Sequence, residues 1–141
     1  MTHHEPPPQE VSANGAETPA EPILLANLTS PQAGDLLPGL GMVLIPVGAQ
    51  EQHGPALPVS TDALTAQVLC ALVGTLLRPR VAIMPVIPWG VSWQHQELPG
   101  TIALREETLI SLVLDQVVSL HRQGVRRFVL VNTHGGNMAA L

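Results

Sequence analysis

Three short apolar runs punctuate the chain, each rich in branched residues and each bounded by turn formers: MVLIPVG (42–48), VAIMPVI (81–87) and RRFVLVN (126–132). Runs of this length and composition predict buried strands. Pro85 inside the second run predicts an irregularity or an edge near its end. Between the runs the apolar period lengthens to that of a helix. One helix is expected over about 62–77 with Thr61 or Asp62 as N-cap, closed by Pro79, and another over 105–122, with apolar Leu109, Leu112, Val113, Val117 and Leu120. Glu106 and Glu107 suit the positive start of that second helix and Gly124 its end. A shorter helix is expected from Ser30, as N-cap, with Pro31 in its first position.

Strand, helix, strand, helix, strand implies right-handed crossovers and a parallel sheet, whose sites form beyond the carboxyl ends of the strands. Residues 1–22 have no period and hold Pro, Glu, Ala and small polar residues, so they are expected to form a disordered tail ahead of one domain at 23–141. His3 and His4 lie in that tail, where no fixed geometry is available for a metal. The chain stops four residues into what should be another helix. Either the product is truncated or the sheet is completed by another chain.

Composition narrows the possibilities. Of 141 residues, 45% are hydrophobic and 12% charged, enough for one core and too apolar for wholesale disorder. Six Arg, no Lys and eleven acids leave no basic stripe, and the two Trp and one Phe make no stacking platform, so nucleic acid binding is disfavoured. No apolar run approaches the roughly 20 residues of a membrane span, and the N-terminus lacks the charge and apolar region of a secretion signal. A cytoplasmic protein with no membrane partner is the expectation. The single Cys70, within Ala66, Val68, Leu69, Leu72 and Val73, reads as a small buried hydrophobe.

Chemistry concentrates in the loops after the strands. Glu51, His53 and Asp62 form E-x-H-x8-D, and His134 follows the third strand in THGGN. Carboxylates and imidazoles are the donors that Zn, Mn and Fe(II) accept, and one carboxylate can bridge two ions. Singly, the acids read equally well as solvated loop and cap residues, and the histidines as hydrogen-bonded loop residues. Their convergence on one rim of the sheet favours a metal. His95, in the long loop 88–101, either orients substrate or moves a proton, or fixes its loop by a hydrogen bond. Trp89 and Trp93 either wall a pocket or pack. His121 is assigned no chemistry, and Asn132 and Asn137 are read as shaping the His134 loop. A nucleotide-binding α/β domain is disfavoured because G-x-G-x-x-G and a P-loop Lys are both missing.

The stretches IPVGAQEQHGPALPVSTD (45–62), PWGVSWQHQELPGTIAL (88–104) and VLVNTHGGN (129–137) together resemble the creatininase (creatinine amidohydrolase) family in order, spacing and loop chemistry, over about residues 40–141. The resemblance implies a three-layer α/β/α fold with a mostly parallel sheet, its C-terminal part missing here. It also implies a homo-oligomer, commonly a hexamer, that hydrolyses a C–N bond of a small cyclic or linear amide by a metal-bound hydroxide. A relative of the mycofactocin-precursor peptidase and a truncated, catalytically impaired fragment are the alternatives. Carried over by residue, Glu51 and His134 would bind one divalent ion, His53 the second, and Asp62 both, with the ions about 3.5–4 Å apart. The family pattern is broken at Ala56, where many relatives carry His, and at Gly136, where creatininase carries a Glu ligand.

Overall fold

The computed structural model describes residues 21–141. The tail expected at 1–22 therefore lies, but for its last two residues, outside the described residues. Four strands form the sheet: β1 (Ile23–Leu24), β2 (Met42–Val47), β3 (Val81–Ile83) and β4 (Phe128–Asn132). Three helices accompany them: α1 (Ser30–Leu36), α2 (Thr61–Leu76) and α3 (Glu106–Arg122). All strand pairs are parallel, in the order β1-β3-β2-β4.

Strand alternation divides the core into two layers. On one face Val43, Ile45 and Val47 pack with Leu109, Val113 and Leu120 of α3, and with Leu37 and Leu40 beyond α1. On the other, Leu44 of β2 joins Val81 and Ile83 of β3 under Cys70 of α2. The three-layer α/β/α arrangement follows from that division.

The elements match the hydrophobic pattern with informative departures. β1 is a fourth strand that the sequence did not suggest, since two residues carry no period. It pairs Ile23 with Ala82 and Leu24 with Ile83. β3 ends at Ile83, four residues short of the end of the apolar run, where an extra residue around Pro85 shifts the register: Leu44 lies opposite Ile83 but Val47 opposite Ile87. Pro46, by contrast, sits inside β2, with a neighbour on each side. Even-numbered residues of β2 face β3, as Met42 N donating to Arg80 O and Leu44 O accepting from Met84 N show. The N–H that Pro46 lacks would point where β3 has already stopped, so no ladder bond is lost.

Helix starts shift by one or two residues. Thr29, not Ser30, caps α1, with Gln32 Oε1 accepting from both Thr29 N and Oγ1. Ser60, not Thr61 or Asp62, precedes α2, which places Asp62 inside the first turn. Gly124 ends α3 with φ of +106°, as a left-handed cap requires.

Cys70 is fully buried, and burial pushes its thiol up to about 11. Its apolar neighbours behave otherwise: Val68, Leu69, Leu72 and Leu76 are exposed, the last by 81%. α2 is thus apolar on its outer as well as its inner side, so its sequence alone does not tell core from surface. Among the described residues no helix is long and apolar enough to cross a membrane.

Two measurements check this packing. Ile45→Ala, which empties a site with no solvent exposure, is expected to lower stability by about 2–5 kcal/mol in denaturant unfolding, while Leu76→Ala changes it by about 0.5 kcal/mol or less. Alkylation of Cys70 is expected to proceed at the rate of unfolding or local opening; a rate close to that of a free thiol would contradict its burial.

Candidate metal centre

Register sets the site. Val47 at the end of β2 lies beside Asn132 at the end of β4, and a parallel bridge sets Ile87 level with Val47. Three loops therefore leave the sheet side by side at its carboxyl rim. The loop after β2 carries Glu51 and His53 and leads into α2, whose first turn holds Asp62; the loop after β4 carries His134.

Close backbone approach joins the two ends. A Cβ on Gly48 would lie 2.5 Å from Ala63 Cα and N, so glycine there lets the end of β2 touch the start of α2. Thr133 Oγ1 donates to Asp62 O at 2.7 Å, and Thr133 N to Val47 O at 3.1 Å, tying β4 to both.

These ties bring four of the five expected site residues together. His134 Nδ1 stands 2.9 Å from Asp62 Oδ2 and 3.4 Å from Glu51 Oε1, and His53 Nε2 stands 3.2 Å from Asp62 Oδ1. Glu51, Asp62 and His134 each offer a ligand atom, all within 4.8 Å of one another. Glu51 and His134 are buried, at 8% and 4% exposure. His95 is not in this cluster. It lies in a 3₁₀ turn (Trp93–His95), where Gln52 Nε2 donates to its Nδ1 at 3.5 Å, so it borders the loop of Glu51 and His53.

The far nitrogen of each imidazole decides what the near one can do. His134 Nε2 is 3.0 Å from Val91 O, and His53 Nδ1 is 3.1 Å from Glu51 O. Carbonyls and carboxylates both only accept, so each ring lies between two acceptors and a neutral imidazole has one proton to give them. With the proton toward the carbonyl, the remaining nitrogen presents its lone pair to a carboxylate oxygen. A cation between that nitrogen and the carboxylate suits this arrangement. Glu51 Oε2 adds to the deficit, since it is buried with no hydrogen-bond partner. For His53 the carbonyl of Glu51, ahead of the nearby Asp62 and Glu51 carboxylates, raises the pKa above its ordinary 6.5 against the opposing effect of burial.

Ser92, His134 and Asp62 also fall in the order of a nucleophilic triad, with Ser92 Oγ 3.2 Å from His134 Nε2. Ser92 is fully buried and shares His134 Nε2 with Val91 O, 3.0 Å away. Ser92 therefore holds the ring rather than attacking a substrate. No motif or spacing signals this contact in advance. Asn132 and Asn137 do shape the His134 loop, as expected: the side chain of Asn132 brackets His134, accepting from its N–H and donating to its C=O.

Comparison with known proteins gives the family. The creatininase family model, described as creatinine amidohydrolase, matches residues 26–141. The chain belongs to the creatininase family. It is 36% identical to a mycofactocin precursor peptide peptidase of Mycolicibacterium smegmatis over 129 residues, 86% of this chain and 49% of that protein. A solved creatininase in its manganese form superposes with TM-score 0.77 at 30% identity, covering 84% of this chain and 48% of the other. A mutant creatininase of Zn-Zn type gives 0.76 at 29%, covering 86% and 48%. The chain thus spans about half the length of the creatininase-family relatives it matches.

Gly136, where the resemblance implied a Glu in creatininase, is closed to a side chain by packing. A Cβ on Gly136 would collide with Val91 O and lie 2.5 Å from His134 Nε2, whereas one on Gly135 meets nothing within 4 Å. Gly136→Ala is therefore expected to cost roughly 1–3 kcal/mol in unfolding free energy, with Gly135→Ala close to neutral. Equal stability of the two variants would contradict the close packing of His134 against Val91.

Proposed function

We propose that this chain carries a divalent-metal centre that hydrolyses a C–N amide bond. The observation that carries the reading is the donor set: His134 Nδ1 and His53 Nε2 facing carboxylates, with Glu51 Oε2 buried and unpartnered. Oxygen and imidazole donors of this kind accept Zn, Mn or Fe(II). Glu51, Asp62 Oδ2 and His134 Nδ1 would hold one ion. Asp62 Oδ1 and His53 Nε2 would contribute to a second, so that Asp62 serves both. The splay of its two oxygens toward different histidines supports two ions rather than one.

When bound, such ions make water a nucleophile near neutral pH and polarise an amide carbonyl. The protein's part is to hold the donors still. Val91 O and Glu51 O fix the tautomers of the two imidazoles, and the start of α2 places its positive end beside the Asp62 carboxylate. His95 borders the cluster through Gln52, and we read it as orienting the substrate or carrying a proton toward the leaving nitrogen. Similarity to the mycofactocin precursor peptide peptidase over 86% of the chain favours a peptide amide as substrate. A small cyclic amide is the second reading, favoured by the likeness to solved creatininases.

Metal analysis after purification is expected to find about two equivalents per chain, with hydrolysis of a peptide amide or of creatinine following metal content. Asp62→Ala is expected to lose both ions while keeping most of the fold. His121→Ala, whose ring bonds only near the end of α3, should keep them. Equal metal retention in the two variants would refute the ligand assignment, and metal without amide hydrolysis would leave a binding domain with no catalytic role.

A further inference from the structure

Asn137 is fully buried, and every polar atom of its amide is engaged at a different strand end. Its Oδ1 accepts from Val91 N at 2.9 Å, and its Nδ2 donates to Gly48 O at 3.0 Å and to Asn132 Oδ1 at 3.1 Å. Two of these three partners act directly on His134. Val91 O accepts from its ring Nε2, and Asn132 brackets its backbone. One side chain thus determines where both the imidazole and the backbone of His134 lie.

The surrounding backbone is shaped to admit it. A Cβ on Gly90 would lie 2.5 Å from Asn137 Oδ1, so the loop that supplies Val91 reaches the amide only because residue 90 has no side chain. A buried amide with all its partners met is rigid, and losing it would strand the Gly48 carbonyl and the Val91 N–H and leave Asn132 Oδ1 with His134 N alone.

We propose that Asn137 is a positioning residue for the His134 ligand: through Val91 and Asn132 it holds the ring in one orientation, with Nδ1 aimed at the Asp62 and Glu51 carboxylates. The metal consequence rests on the centre proposed above, but the consequence for the ring does not. In the metal-free protein, at a pH where imidazoles are neutral, long-range ¹H–¹⁵N spectra are expected to show His134 as a single tautomer. Asn137→Ala should convert it to a mixture. Co2+ titration should then show affinity lowered by about 10–100-fold, with an altered visible spectrum.

Should Asn137→Ala fail to fold, Asn132→Ala reads the same link from the backbone side and is expected to weaken Co2+ binding in the same direction. His121→Ala should change neither readout. The proposal is overturned if the folded variant keeps one tautomer and wild-type Co2+ affinity, even with a lowered melting temperature, since that is the signature of a merely structural amide. Wild-type protein that binds no Co2+ would refute the metal centre itself, while the tautomer spectra would still decide the role of Asn137.

Discussion

Two imidazoles whose outer nitrogens are committed to backbone carbonyls, and whose inner nitrogens face carboxylates, impose the constraint from which the rest of the site follows. With the single proton of each neutral ring toward Val91 O or Glu51 O, His134 Nδ1 and His53 Nε2 meet Asp62 and Glu51 with lone pairs. In a buried setting such contacts are costly unless positive charge lies between them. Among the described residues the ion-pair partners of Glu51 and Asp62 are these same two histidines. Two carboxylates and two imidazoles are therefore gathered at one point by the fold, and the proposed divalent ion would meet a donor set already in place.

Parallel topology makes that arrangement possible. Successive strands of a parallel sheet end on the same side, and here Val47, Ile87 and Asn132 are level. Their loops start within reach of one another although they are far apart in sequence. Glycines at 48, 90 and 136 then remove the side chains that would hold the loops apart. Asn137 occupies the space so opened and bonds all three loops together.

Much of this was legible in the sequence, for identifiable reasons. Branched apolar runs marked β2 and β4, because a strand covered on both faces reads as a continuous apolar stretch, and the 3.6-residue period of α3 marked a helix covered on one. Glu51, His53, Asp62 and His134 stood out because polar donors directly after strands of a parallel sheet share a rim. β1 was invisible because a two-residue strand has no pattern. The exposed leucines of α2 were indistinguishable from core, since hydropathy does not say which apolar face is covered. Val91 escaped notice for a different reason: its contribution is a carbonyl, which every residue has. The tie made by Asn137 depends on the register of three strands, and a sequence does not display register.

The account is tested most directly by crystallography of the protein grown with Mn2+ or Zn2+, using anomalous scattering to locate the ions. It predicts an ion within about 2.0–2.2 Å of His134 Nδ1, an Asp62 oxygen and a Glu51 oxygen, with a second ion against His53 Nε2 and the other oxygen of Asp62. Anomalous density away from these atoms, or His134 bound through Nε2 with Val91 O released, would contradict it.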